Sequence, residues 1–131
     1  MGPASPVTAG RVLVVDDDDY VRDVTGMILE EMGYRVRTTR SGFEALRWLG
    51  EESYDLLVLD VKMPEVDGPS LYRAVRARWS GSAPRVLFVS GFSEAGCHAD
   101  GLIVPPDVPV LFKPFTVDEL QTAIDRVLAT A

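Results

Sequence analysis

Short apolar runs alternate along the chain with segments whose apolar residues recur at helical spacing. Residues 12–15, 55–60 and 86–89 are nearly continuous apolar runs, the pattern of strands buried on both faces. Residues 34–39 alternate apolar and polar side chains and predict an edge strand, while residues 109–112 predict a short last strand. The pattern therefore predicts five strands.

Helix signals follow the strands. Apolar residues recur at helical spacing over residues 21–32, and Gly33 is placed to end that helix. The expected helix starts are marked by capping residues, which are Asp18 or Asp19, Ser41 with Glu44, Asp67 before Gly68 and Pro69, and Thr116 with Glu119. Between residues 92 and 108 glycines and prolines interrupt the pattern, so a short helix over residues 94–99 is the most that this stretch allows.

This alternation predicts the fold class. Strands joined in series through helices give right-handed crossovers and a parallel sheet that is covered on both faces. The 131 residues suffice for one domain, assigned to residues 11–131, and residues 1–10 are expected to form a flexible leader. In open sheets of this kind, ligands bind beyond the carboxyl ends of the strands.

The unusual polar residues fall at those carboxyl ends. They are Asp16 and Asp17 after the first strand, Asp60 after the third, Ser90 after the fourth and Lys113 after the fifth. Any one of them alone would be interpreted as a helix cap, a turn residue or a surface lysine. Their joint occurrence at one edge of the predicted sheet indicates a functional site.

Three carboxylates at one edge repel one another, by about 4 kcal/mol per pair at a separation of about 4 Å and an effective dielectric constant of about 20. They must bind a cation or take up protons. Oxygen ligands without a nearby histidine suit Mg²⁺, which also accepts phosphate oxygens. A carboxylate nucleophile beside Mg²⁺ and a lysine is the arrangement that forms an aspartyl phosphate.

The composition of the chain argues against several classes of binding partner. The formal net charge of −7 argues against direct binding of nucleic acid, because that affinity comes mainly from cations that neutralise phosphates. The single cysteine, Cys97, excludes an internal disulfide bond, and a metal pair with His98 would lack further ligands. There is no signal peptide and no apolar run near the roughly 18 residues of a membrane span, so the chain is expected to be cytoplasmic, without a membrane partner.

The sequence resembles the receiver domains of two-component response regulators and hybrid histidine kinases over residues 11–128. The resemblance lies in Val-Val-Asp-Asp at residues 14–17, Asp-Val-Lys-Met-Pro-Glu-Val-Asp-Gly at 60–68, Ser-Gly at 90–91 and Lys-Pro-Phe at 113–115. It implies a flavodoxin-like (βα)5 sandwich of three layers with a five-stranded parallel sheet in the order 2-1-3-4-5. It also implies a signalling module that catalyses only its own phosphorylation and dephosphorylation.

The resemblance implies a phosphoacceptor and a set of metal ligands. Asp60 would accept a phosphoryl group from a phosphohistidine of a histidine kinase or histidine phosphotransfer protein. Mg²⁺ would be bound by the carboxylates of Asp17 and Asp60 and by the backbone carbonyl of Lys62. Asp16 would hold the ion largely through water.

The resemblance also implies how the phosphoryl group is surrounded. Ser90 would donate a hydrogen bond to it, and Lys113 would pair with phosphorylated or free Asp60. The bond between Lys113 and Pro114 would be a cis peptide. The domain would be a monomer or a weak dimer.

Two departures from the family pattern bear on signalling. The usual switch aromatic lies three residues before the lysine, where this chain has Val110. Phe112 is not expected to replace it, because adjacent residues of a strand point to opposite faces. The interrupted stretch after Ser90 is more similar to receivers at the C-terminus of hybrid kinases than to transcriptional regulators.

Two other functions stay open. One is a receiver that docks a kinase or phosphotransfer partner through its unphosphorylated surface, which agrees with Val110 and with the irregular segment after the fourth strand. The other is a phosphatase of another aspartyl-phosphate family. The second is disfavoured, because Lys62 stands where such enzymes carry a second aspartate and no cap domain is expected.

Overall fold

The computed structural model describes residues 10–91, 104–105 and 107–129. The elements are β1 (Arg11–Val15), α1 (Asp19–Glu31), β2 (Arg35–Thr39), α2 (Gly42–Glu51), β3 (Leu56–Asp60), α3 (Gly68–Arg78), β4 (Arg85–Gly91), β5 (Val110–Lys113) and α4 (Val117–Ala129). Most of the predicted leader, the predicted short helix over residues 94–99, Cys97 and His98 lie outside the described residues. Within those ranges, no helix is long and apolar enough to span a membrane.

The five strands form one parallel sheet in the order β2-β1-β3-β4-β5. This confirms the predicted flavodoxin-like order, and it confirms β2 as an edge strand. Because all strands are parallel, their carboxyl ends lie along the same edge of the sheet. The strand ends that carry the unusual polar residues therefore share one rim.

Two apolar clusters cover the two faces of the sheet. Alternate residues of β1 and β3 contribute to opposite clusters, as the pleat of a strand requires. Residues of α2 and α3 pack in one cluster and residues of α1 and α4 in the other. The inner strands β1 and β3 are thus buried on both faces, which explains why their sequences are continuously apolar.

The predicted caps of the first and last helices are present. The Asp18 carboxylate accepts a hydrogen bond from the Val21 amide at 3.1 Å, and Gly33 follows α1 with a φ of 102°. Before α4, the Glu119 amide donates to the Thr116 hydroxyl at 3.0 Å, while the Glu119 carboxylate accepts from the Thr116 amide at 2.8 Å. The latter pair is a complete capping box.

The predicted capping box of α2 is only half formed. The Ser41 hydroxyl accepts from the Glu44 amide at 3.2 Å, as expected. However, the Ser41 amide donates to the Thr39 hydroxyl at 3.0 Å, and that hydroxyl donates to the Glu44 carboxylate at 2.5 Å. The Thr39 hydroxyl lies between the two groups that would otherwise bond directly. The cap of α3 is simpler, since Asp67 accepts from the Ser70 amide at 2.7 Å.

Candidate functional site

The structure brings the aspartates that end β1 and β3 together. Asp16, Asp17 and Asp60 each offer a carboxylate oxygen, and these atoms lie within 4.8 Å of one another. Asp16 and Asp60 are buried, whereas Asp17 is partly exposed. The convergence expected from the strand ends is therefore present, with one carboxylate open to the outside.

Lys113, the last residue of β5, reaches the same cluster. Its ammonium nitrogen lies 3.3 Å from Asp16 Oδ2 and 3.7 Å from Asp60 Oδ1. Its side chain is 19% exposed, so it is less accessible to water than a surface lysine, and its charge interactions are less weakened by salt. One ammonium group cannot neutralise three carboxylates, and the cluster keeps an excess of negative charge.

Burial in this cluster raises the pKa of Asp60 from its ordinary value of 3.8 to about 8. Burial is the largest cause, and the neighbouring charge of Asp16 adds to it, while the Lys113 ammonium acts in the opposite direction. Hydrogen bonds with Asp17 and Asp16 raise the pKa further. Without a bound cation, the raised pKa favours the protonated form of Asp60.

Ser90 lies within β4, one residue before the strand ends, whereas the sequence placed it just after the strand. This strand is next to Asp60, since Val89 is the register partner of Asp60. The Ser90 side chain is buried, and its hydroxyl donates to the Gly91 carbonyl at 3.3 Å. The hydroxyl is therefore engaged with the backbone rather than with the carboxylates. A ligand of this hydroxyl would have to replace the Gly91 carbonyl.

The loop after β3 carries Lys62, whose side chain is exposed, and Met63, which is buried. The Gly68 amide closes the loop by donating to the Val61 carbonyl at 2.8 Å. A β carbon added at Gly68 would lie 2.4 Å from the Asp60 carbonyl oxygen. The sequence indicated a turn and a helix start at Gly68. The structure adds that the first turn of α3 touches the backbone of Asp60.

Sequence reasoning also missed Arg22. Its guanidinium Nη1 donates to the backbone carbonyl of Asp16 at 3.0 Å. The available signal was its position four residues after the cap Asp18, because helical side chains lean toward the N-terminus and can reach the preceding turn. An arginine in the first turns of α1 is thus placed to contact the end of β1.

The donor set fits a small divalent cation. Carboxylate oxygens are hard ligands, and the cluster contains no histidine or cysteine. Ligands at about 2.1 Å from an octahedral Mg²⁺ lie about 3 Å apart when neighbouring and about 4 Å apart when opposite. The three carboxylate oxygens lie within 4.8 Å of one another, so they are near enough for modest movements to bring them around one ion.

Comparison with known proteins agrees with this geometry. The family model of the response regulator receiver domain matches residues 12–125. The chain belongs to this family. The chain is 35% identical over 121 residues to the response regulator receiver protein CpdR of Brucella abortus (strain 2308). The aligned region covers 92% of this chain and 98% of that protein.

Other relatives carry the same domain within longer chains. The receiver domain is 37% identical over 122 residues to the sensor kinase CckA of Brucella abortus (strain 2308), covering 92% of this chain but 13% of that protein. A solved structure of the signal receiver domain of a signal transduction histidine kinase from Syntrophus aciditrophicus superposes with a TM-score of 0.74 at 30% identity. That match covers 92% of this chain and 91% of the solved one. Related domains thus occur both as nearly whole proteins and as small parts of kinases.

The expected orientation of Phe112 was wrong. Val110 packs against the cluster that contains Phe88, whereas Leu111 packs against the opposite cluster. Phe112 lies two residues after Val110 and therefore shares its face. Its register partner is Ser90, and its side chain is 41% exposed. An aromatic ring is thus present on the strand beside Ser90, one residue before Lys113 rather than three.

Lys113-Pro114 is a cis peptide bond, as the resemblance to receiver domains implied.

Proposed function

We propose that this receiver domain takes a phosphoryl group from a phosphohistidine onto Asp60 in the presence of Mg²⁺ and signals through the resulting conformational change. The observation that supports this most directly is the carboxylate cluster with Lys113. Three acidic groups and one ammonium leave a net negative charge that a divalent cation would balance. The exposed side of the cluster at Asp17 leaves room for a donor to approach.

The chemistry assigned to the residues is a single group transfer. A carboxylate oxygen of Asp60 forms a bond to phosphorus, the bond between phosphorus and the donor imidazole nitrogen breaks, and the imidazole takes up a proton. Asp60 must lose its own proton before it can attack. The Lys113 ammonium, 3.7 Å from Asp60 Oδ1, is placed to stabilise negative charge on the transferred group.

The remaining assignments follow from position. Asp17, Asp60 and the backbone carbonyl of Lys62 would hold Mg²⁺, with Asp16 acting through water. Bound Mg²⁺ would supply positive charge to the phosphoryl oxygens. The Ser90 hydroxyl would exchange its bond with the Gly91 carbonyl for one to a phosphoryl oxygen.

The test is phosphorylation by a small donor. Incubation with acetyl phosphate and Mg²⁺ should add one phosphate to the intact mass of the wild-type protein and none to Asp60→Asn. Asp23→Asn, at an exposed carboxylate on α1, is the matched control and should be modified normally. Absence of an adduct from both acetyl phosphate and a phosphorylated cognate kinase would remove the proposal, as would an adduct that persists in Asp60→Asn.

The wider assignments belong to the same proposal. The partner is a histidine kinase or a histidine phosphotransfer protein, and the domain catalyses only its own phosphorylation and dephosphorylation. It acts in the cytoplasm as a monomer or weak dimer and does not bind nucleic acid directly. Membership of the receiver family supports these assignments.

A second function is favoured by Val110. A half-buried valine cannot make the ring rotation that a switch aromatic makes, so the docking surface would be the same with and without phosphorylation. In that case the affinity for a kinase or phosphotransfer partner, measured by calorimetry, should not change with Asp60→Asn or with beryllofluoride. A change of tenfold or more in either condition would exclude this function.

A further inference from the structure

The turn between β1 and α1 carries the first two aspartates of the site and is held by several hydrogen bonds. The Asp16 amide donates to the Thr39 carbonyl of β2 at 3.1 Å. The Asp16 carboxylate accepts from the Asp18 amide at 2.9 Å, which closes a small turn around Asp17. These contacts hold the amide and the side chain of Asp16, and the Asp16 carbonyl is held separately, from α1.

Arg22 provides that contact. Its Nη1 donates to the Asp16 carbonyl at 3.0 Å, and its Nη2 lies 2.7 Å from Asp19 Oδ1. The Arg22 side chain is 15% exposed, which is low for a residue on the first turns of a helix. The planar guanidinium group bridges the end of β1 and the start of α1 with two donors at a fixed angle, which a lysine cannot reproduce.

The contacted atom matters for the site. The Asp16 carbonyl belongs to the peptide unit that joins Asp16 to Asp17. The direction of this carbonyl therefore sets the orientation of the peptide plane from which the two carboxylate side chains extend. Asp19 itself is 68% exposed, and an exposed ion pair contributes little to stability. The bond to the peptide unit, rather than the ion pair, is therefore the contact through which Arg22 acts on the site.

We propose that Arg22 is a positioning residue of the phosphoacceptor site, which holds the Asp16-Asp17 peptide unit in the orientation that Mg²⁺ binding requires. The proposal rests on the function proposed above, because it takes the acidic cluster to be the Mg²⁺ site. It concerns a residue that touches neither the ion nor the phosphoryl group. Groups that orient metal ligands from outside typically change metal affinity by about 10- to 100-fold when they are removed.

The sign of the effect separates positioning from electrostatics. Arg22→Ala removes a positive charge near the acidic cluster, so a purely electrostatic role predicts tighter binding of Mg²⁺. A positioning role predicts binding that is weaker by about tenfold. Arg22→Lys keeps the charge but loses the two-donor geometry, and it should also weaken binding.

The experiment is calorimetric titration of the wild-type protein and the variants with MgCl₂ at one pH, at a temperature where all of them are folded. Asp19→Asn is the matched control, since it removes the ion pair but leaves the bond between Arg22 and the Asp16 carbonyl. Its Mg²⁺ affinity should stay within about twofold of the wild type. Arg22→Ala and Arg22→Lys should also shift the backbone amide resonances of Asp17 and Asp18, whereas Asp19→Asn should shift them less.

A variant that only lowers the stability of the fold serves as a second control for Mg²⁺ affinity. Ile28→Val weakens the packing of α1 on the sheet without touching the turn, and its Mg²⁺ affinity should equal that of the wild type. Equal affinities in the wild type and both Arg22 variants, or tighter binding in Arg22→Ala, would overturn the proposal. So would an equal loss of affinity in Ile28→Val.

Failure of the proposed function would look different. Wild-type protein that binds Mg²⁺ but takes no phosphate from any donor would remove the phosphoacceptor function and leave the effect of Arg22 on Mg²⁺ binding measurable. Normal phosphorylation together with unchanged Mg²⁺ affinity in both Arg22 variants would overturn only the role of Arg22.

Discussion

The two ends of the sheet differ in how their charged side chains are arranged. At the amino end, the Glu52 carboxylate lies 3.5 Å from the Arg11 guanidinium and 3.7 Å from that of Arg37. The Asp55 carboxylate accepts from the Arg11 amide at 2.9 Å. At the carboxyl end, three carboxylates lie together, and the Lys113 ammonium pairs with two of them, those of Asp16 and Asp60.

The difference separates a region where opposite charges are paired from a region where like charges are brought together. Polar groups at the amino end are matched by partners of opposite charge or by backbone donors, and they are half-exposed. At the carboxyl end, two of the three carboxylates are buried and negative charge is in excess, which costs stability until a cation or a proton binds. The acidic end is therefore the part of the sheet whose stability should respond to ligands and to pH.

The largest expected effect is a pH dependence that belongs to the carboxyl end. Because the folded-state pKa of Asp60 is about 8 and its ordinary value is 3.8, the folded protein binds more protons than the unfolded chain between these values. The contribution of Asp60 to the free energy of unfolding is thus most favourable below about pH 4 and is lost as the pH rises toward 8. At most about 1.4 kcal/mol is lost per pH unit, and we expect about 3 kcal/mol in total between pH 5 and 8.

Urea denaturation in EDTA at several pH values measures this loss. Asp60→Asn should remove most of the slope, because an amide does not titrate, and Asp23→Asn should keep it. A slope in Asp60→Asn equal to that of the wild type would assign the pH dependence to other groups and weaken the contrast between the two ends.

The next effect is stabilisation by Mg²⁺ itself. At a free concentration one hundred times its dissociation constant, the ion should raise the free energy of unfolding by about 2.7 kcal/mol at pH 8. The gain should be smaller at pH 5, where protons compete for Asp60. Asp17→Asn should lose most of it and Glu52→Gln, at the amino end, none. Thermal unfolding with MgCl₂ or EDTA gives these values, and an equal gain in Asp17→Asn would place the ion elsewhere.

A steric change should break the carboxyl end without changing its charge. Gly68→Ala would bring a β carbon to 2.4 Å from the Asp60 carbonyl oxygen, so α3 or the end of β3 must move. We expect a loss of about 2 kcal/mol in urea denaturation, together with slower phosphorylation. Gly81→Ala is the control, since a β carbon there meets no atom within 4 Å, and it should change stability by less than about 0.5 kcal/mol. Equal stabilities of the two variants would contradict this.

The smallest effect belongs to the amino end. Glu52→Gln removes the charge that faces Arg11 and Arg37, but these pairs are solvent-exposed, and the loss should be about 0.5 kcal/mol. The loss should shrink further in high salt. A loss above about 2 kcal/mol would mean that the two ends do not differ in the way described.

The strand ends were predictable from sequence for a physical reason. β1 and β3 are apolar until a carboxylate appears, and a parallel sheet brings the ends of such strands to one rim. Asp16, Asp60 and Lys113 could therefore be placed together before any coordinates. The order of the strands came from the resemblance to receiver domains, because alternation of strands and helices alone allows more than one order.

Contacts through single side chains were not predictable in the same way. The Thr39 hydroxyl takes the place of a direct bond in the cap of α2, and Arg22 reaches back to the end of β1, because both depend on how two elements approach in space. The face of Phe112 was predictable from strand alternation. The expectation was wrong because Phe112 is two residues after Val110, not adjacent to it, and residues two apart in a strand lie on the same face.

The hydrogen bond from the Asp16 amide to Thr39 has a consequence for motion. Thr39 ends β2, an outer strand of the sheet, and the last bonds of an edge strand open at low free energy. Opening of this bond frees the amide of Asp16 while the rest of β1 remains paired with β3. Hydrogen exchange at that amide therefore reports local opening at the acidic turn, well before the sheet as a whole unfolds.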